Sequence, residues 1–123
     1  MSDRRWSVLI PHRGQPTTVQ FPDTRVLAHA APTIGCEWVE AVAPLGLAVT
    51  KHRLLVDESG AITNADRNPL ASFLYGSHLH GQHIYGNALV CTQVTTSKGP
   101  DLVWLTYEEA MELVTKFFPS KEQ

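Results

Sequence analysis

Ile84-Tyr85-Gly86-Asn87-Ala88-Leu89-Val90-Cys91-Thr92-Gln93-Val94 is the stretch on which the rest of the chain is read. It is apolar and β-branched and contains no proline, so residues 84–94 read as a central strand. Just before it stands His78-Leu79-His80-Gly81-Gln82-His83, with half of the six histidines. Earlier still, Asn68-Pro69 reads as an N-cap followed by proline in the first helical turn, giving a helix over 69–75 that stops at Gly76. Downstream, 95–101 reads as a loop and 102–105 as a short strand. Thr106-x-x-Glu109 is a capping box, and Ala110, Leu113, Val114 and Phe117 form one face of a helix over 107–118.

The N-terminal half has the same texture. Residues 6–10 and 17–21 read as a hairpin around Pro11–Pro16, and Asp23 or Thr24 as a cap for a helix through Ala31 that Pro32 and Gly35 end. Residues 36–42 and 47–56 read as strands, the second carrying Lys51, His52 and Arg53. Asp57-Glu58-Ser59-Gly60 reads as a type I turn with glycine in the left-handed position, returning as a strand over 61–63. The order predicts one α+β domain over 1–123, its core about 6–118 and its polar tail 119–123. Its expected architecture is a largely antiparallel sheet with two or three helices packed against it.

The chain has 123 residues, enough to bury a core without disulfide staples. Its formal net charge of −2 offers no basic excess for phosphates, so non-specific nucleic-acid binding is not expected. Arg4-Arg5 and His12/Arg13 read as solvated surface charge. Cys36 and Cys91 lie outside any CxxC pair and read as small buried hydrophobes kept reduced. No apolar run approaches membrane-spanning length, so the expectation is a cytoplasmic protein with no membrane contact. Trp6, Trp38 and Trp104 fall in predicted strands and read as core.

Five segments together resemble a known pattern. Residues 35–42 fit a Gly, aromatic, Val-Glu, Val strand. Residues 56–60 fit a Val/Asn-Glu-x-Gly hairpin turn, and 68–71 an Asn, small or Pro, Ala helix start. Residues 84–90 fit Ile-x-Gly-Asn/Asp/Thr-Ala-Val-Val, and 105–110 the closing helix. In order and spacing this resembles domain of unknown function 3846, an uncharacterised family of bacteriophages and actinobacteria. The resemblance covers roughly 6–118. It implies a small α+β fold, a phage-related origin and, if phage-encoded, the host cytoplasm; it assigns no catalytic residue.

Read for chemistry, His78, His80 and His83 have spacing that could converge on zinc; the alternative is an exposed polar loop. Asn64, Asp66, Arg67 and Asn68 precede a helix N-terminus, where an anion could meet the dipole and the Arg67 fork; capping alone also explains Asn68. Asp57 and Glu58 are explained by the turn, and Lys51, His52 and Arg53 by a solvent-facing strand. Ser72 and Ser77 have no evident base partner. The preferred reading is a non-enzymatic accessory protein that binds a host protein or a small metabolite, a nucleotide being the candidate at Arg67 and Asn68, and that uses no cofactor. The alternatives are a metal-binding protein or metal-dependent hydrolase using His78, His80 and His83, and a homo-oligomeric structural or regulatory module.

Overall fold

The computed structural model describes residues 3–44, 51–62 and 65–117. The elements run β1 (Trp6–Ile10), β2 (Thr17–Gln20), α1 (Val26–Ile34), β3 (Val39–Val42), β4 (His52–Asp57), α2 (Pro69–Tyr75), α3 (Ser77–His80), β5 (Ala88–Thr96), β6 (Gly99–Val103) and α4 (Tyr107–Phe117). The six strands form one sheet in the order β2-β1-β5-β4-β3, with β6 also on β5, and all its strand pairings are antiparallel. The fold is α+β, as the sequence predicts.

Helices cover both faces of the sheet. Because side chains alternate along a strand, Val8, Ile10, Leu54, Val56, Ala88 and Val90 pack beneath α2 and α4. Leu55, Leu89 and Cys91 point the other way, against Val26, Ala30 and Ile34 of α1. Two covered faces explain why Ala88-Leu89-Val90-Cys91 is uniformly apolar, without alternating polar residues.

Strand β5 is the hub. One edge pairs with β4, from His52↔Thr92 to Leu55↔Leu89. The other pairs first with β1, at Leu9↔Leu89 and Ile10↔Ala88, and then with β6, from Thr92↔Val103 onward. Between these partners β1 swings away, and Trp6 bridges to Leu105. The fully buried Ser7 fills the fork: its Oγ donates to the Val90 carbonyl at 2.7 Å and accepts the Val90 N–H at 3.1 Å.

Several local signals hold. The Asn68 side chain accepts the Ala71 N–H at 3.0 Å, and the Thr106/Glu109 capping box closes in both directions at 2.9 and 3.1 Å. Other boundaries move. Helix α1 runs through Pro32 to Ile34; proline removes one donor, but Gly35 and Cys36 N–H both reach the Ala31 carbonyl and Ile34 is buried. Its N-cap is Arg25, with no side-chain cap bond; Asp23 instead accepts from Arg25 N–H and lies 2.9 Å from His29 Nε2.

Strand β5 begins at Ala88, because Gly86 at φ +85° breaks the extended chain. Residues 99–103, expected as the end of a loop and the start of a strand, form the return arm of a hairpin. Residues 57–60 do not make a hairpin: Ala61 and Ile62 continue the turn, while β4 pairs with β3 and β5. Gly60 does not take the expected left-handed conformation. A Cβ there would lie 2.9 Å from the Tyr85 carbonyl oxygen, so close backbone approach is what requires glycine. The N-terminal part of the strand expected over 47–56, the turn residue Gly46, Thr63 and Asn64 lie outside the described residues.

The tryptophans divide. Trp104 is fully buried and stacks on Phe21 with centroids 4.3 Å apart. Trp6 is half-buried against the Tyr107 edge, and Trp38 is 65% exposed, so the core expectation fails for Trp38. Cys91 is a buried free thiol, whereas Cys36 is partly exposed in the loop before β3.

Ser7→Ala leaves both polar groups of Val90 buried and unpaired, so urea unfolding is expected to show a loss of about 1–3 kcal/mol. Asn68→Asp is expected to cost more, since it keeps the cap acceptor but turns a carboxylate oxygen, with no hydrogen to donate, toward the Ile10 and Gly86 carbonyls. Burial pushes the Cys91 thiol up to about 12, so the folded state holds this proton after the unfolded chain, near pH 8.5, has lost it. Stability is therefore expected to fall as pH rises from about 9 toward 12. Native alkylation at pH 8, read by mass spectrometry, should mark Cys36 and spare Cys91 until denaturant is added.

Candidate functional site

The site is a consequence of Asn68. Its side chain is fully buried, and Nδ2 donates to the Ile10 carbonyl at 2.8 Å and the Gly86 carbonyl at 2.9 Å. Asn68 N–H donates to Ile84 O, Gly86 N–H donates to Asp66 O, and Arg67 bridges to Tyr85. The end of β1, the bend before β5 and the entry to α2 therefore meet at one point. The residues just past these anchors, His12, Asp66 and Asn87, face one another.

Asn87 Oδ1 receives the His12 backbone N–H at 3.0 Å and lies 2.9 Å from His12 Nδ1. An amide oxygen only accepts, so the imidazole carries its proton on Nδ1. The other ring nitrogen, Nε2, lies 3.5 Å from Asp66 Oδ2. Arg13 reaches the same oxygen at 3.8 Å but is 83% exposed. Exposed pairs of this kind contribute about 0–1 kcal/mol to stability, so the arrangement matters for the surface it presents.

That surface is an open cleft of about 350 Å³. His12, Asp57, Asp66 and Asn87 supply its polar atoms, and Ile34 and Ala65 its apolar side. Asp57 Oδ1 accepts the Ser59 N–H, closing the turn. Among the described residues lining the cleft there is no serine, threonine, cysteine or lysine. What the lining can do is accept hydrogen bonds, orient a ligand and move a proton at His12 Nε2.

His78, His80 and His83, for which the sequence allows either a chelate or an exposed polar loop, do not converge. Residues 77–80 form a helical turn between Gly76 and Gly81. His78 is exposed and stacks on Phe73 with centroids 5.0 Å apart. His80 uses both nitrogens: Nε2–H donates to Tyr75 O at 3.1 Å, and Nδ1 accepts Gln82 N–H at 3.1 Å. His83 holds Nδ1 buried without a partner; a bare acceptor is better tolerated than a bare donor, which puts its proton on Nε2. Among the described residues no group of three His, Cys, Asp or Glu is placed to hold a metal ion. A helical turn sends residues two apart to different sides, so the spacing of His78 and His80 does not bring their nitrogens together.

The other sequence candidates scatter. Arg67 is exposed beside the cleft, while Asn68 is enclosed by its own hydrogen bonds and offers nothing to a ligand. Asp66, from the same polar cluster, is the residue that reaches the cleft. His52 is half-buried beside Thr92, with Nδ1 3.2 Å from the hydroxyl, so it does not face solvent with Lys51. Burial lowers its pKa, opposed by the nearby Glu109. Ser72 accepts Ile84 N–H and donates to Ile84 O, the pattern Ser7 makes with Val90. His12 and Asn87 were not singled out for chemistry by sequence; the usable signal is the register of β1 and β5, which is not local.

No protein-family model matches this chain, and no curated protein matches it. Among solved structures the chain is similar to the crystal structure of the small RNA methyltransferase HEN1, with a TM-score of 0.54 and 19% sequence identity. That match covers 87% of this chain and 15% of the other. At this identity it speaks to the fold alone. Among the described residues no helix is long and apolar enough to cross a membrane.

Asn87→Ala removes the acceptor that selects the His12 tautomer. Nitrogen NMR of the imidazole above pH 8 is expected to show the Nδ1–H form in the parent protein and a tautomer mixture in the variant. The accompanying loss of stability should be about 1 kcal/mol. A parent spectrum dominated by Nε2–H would contradict the assignment.

Proposed function

We propose that this chain is a small non-enzymatic binding protein that takes a polar metabolite in the cleft beside His12. The observation that carries this reading is the imidazole fixed through Nδ1 by Asn87, with Nε2 toward Asp66 at the cleft. A binding site needs few polar groups, but they must be held in place before the ligand arrives. Here the backbone and ring of His12 are held by a single amide oxygen, and the carbonyls flanking the site are held by Asn68.

The family and phage-related origin belong to the same proposal and rest on the motif resemblance. An RNA substrate is not carried over from HEN1, since a net charge of −2 provides no phosphate-binding excess.

A panel of sugars, nucleosides, amines and amino acids, followed by amide NMR, tests this reading. Binding should move the amides of His12, Gly86 and Asn87, and His12→Ala should weaken it about tenfold, the loss of one good hydrogen bond. A panel without a binder would remove the proposal. With host lysate fractions as the probe, shifts confined to the exposed Phe73 and Leu79 beside His78 would replace it with protein docking.

A further inference from the structure

We propose that the outward face of α4 docks a second copy of this chain, the two α4 helices lying antiparallel about a two-fold axis near Met111 and Glu112. The inference is independent of the His12 cleft, none of whose lining residues lies on α4. Ala110 and Leu113 turn inward to the core. The other side of the helix carries two stripes, each repeating every four residues. Tyr107, Met111 and Thr115 form one; Glu108, Glu112 and Lys116 form the other; all six are exposed. Together they line an open groove of about 470 Å³, whose apolar surface comes from the Tyr107 ring and the Met111 thioether. The face is held in place from below. Trp6 meets the Tyr107 ring edge-on, with centroids 4.7 Å apart. Glu109 is taken up by Arg4 at 2.8 Å and by the Thr106 N–H at 2.9 Å, so it stands apart from the exposed charges.

The order of the charges selects the occupant. Along the outer stripe it runs acid, acid, base. A copy turned end for end presents base, acid, acid to the same stripe, because a two-fold axis across the helices sets each flank against itself. Glu108 then meets the partner's Lys116, and Lys116 meets the partner's Glu108. The same axis lays Tyr107 over the partner's Thr115 and Met111 over the partner's Met111. Glu108 and Lys116 stand about 12 Å apart along the helix, so one short contact holds both ion pairs. An anionic lipid surface would instead face Glu108 and Glu112. Near the axis Glu112 falls opposite its own copy, which weakens the pairing. One face of an 11-residue helix is also small beside the roughly 1,000 Å² of a stable interface. The dimer is therefore a weak one, with an expected Kd of about 0.1–1 mM.

Sedimentation equilibrium of the intact chain up to about 2 mM, with the Met111 methyl followed by NMR over the same range, tests the inference. A monomer–dimer equilibrium is expected, and the methyl shift should track the dimer fraction. Glu108→Lys and Lys116→Glu are each expected to weaken association at least tenfold, since each sets like charges against each other at both ends. An equimolar mixture of the two variants is expected to recover the parent affinity, because every end pair then joins opposite charges. Both positions are exposed, and circular dichroism melts check that each variant folds. A chain that stays monomeric, variants that dimerise as the parent does, or a mixture no tighter than either variant alone overturns the inference. A monomer whose Met111 methyl shows nuclear Overhauser contacts to the chain's own C-terminal residues, or shifts only with anionic vesicles, gives the face to that occupant and overturns it as well.

Discussion

The buried carboxamide of Asn68 is the constraint on which the rest of the molecule depends. Two donors and one acceptor, at the spacing of a single amide, join the last carbonyl of β1, the carbonyl of Gly86 and the first free N–H of α2. An aspartate has no donors for the two carbonyls, and a glutamine is one methylene too long for the same three contacts. The group is fully buried, where each unmet carbonyl would cost about 1–3 kcal/mol. The same joint places His12 two residues beyond Ile10 and Asn87 one residue beyond Gly86. Stability of the joint and geometry of the cleft are thus one property.

Two buried serines extend this logic. Ser7 with Val90, and Ser72 with Ile84, each use one hydroxyl to meet both the N–H and the C=O of a single residue. They stand where regular pairing stops: at the fork where β1 leaves β5, and where the chain approaches β5 across α2. A hydroxyl both donates and accepts, so it can replace a missing strand for one residue. The sheet can therefore branch, giving β5 two partners along one edge without leaving polar backbone stranded in the core.

What was legible beforehand was short in range. Asn68-Pro69 with Gly76, and Thr106 with Glu109, bound their helices as read, since a cap is made by residues three or four apart. Strand identity along β1, β2 and β5 was legible from side-chain type. The histidine run leaves a chelate and an exposed loop both open in sequence, because closeness along the chain does not decide closeness of nitrogens. In a helical turn His78 finds Phe73 and His80 finds Tyr75 instead. The Asp57–Gly60 turn misled, because its glycine answers to the backbone of Tyr85 and not to the turn itself.

Local sequence therefore determines the α+β class, most of the helix ends and the apolar centre of β5, because caps, turns and alternation act over a few residues. Tertiary structure alone decides which faces are covered and where β1 changes partner. It also decides that His12, Asp66 and Asn87 share a cleft while His78, His80 and His83 do not converge. The reason is physical: antiparallel register, set at Ile10↔Ala88 and Arg67↔Tyr85, brings together residues as far apart as His12 and Asn87, 75 positions along the chain. Nothing in the immediate neighbourhood of any one of them encodes that meeting.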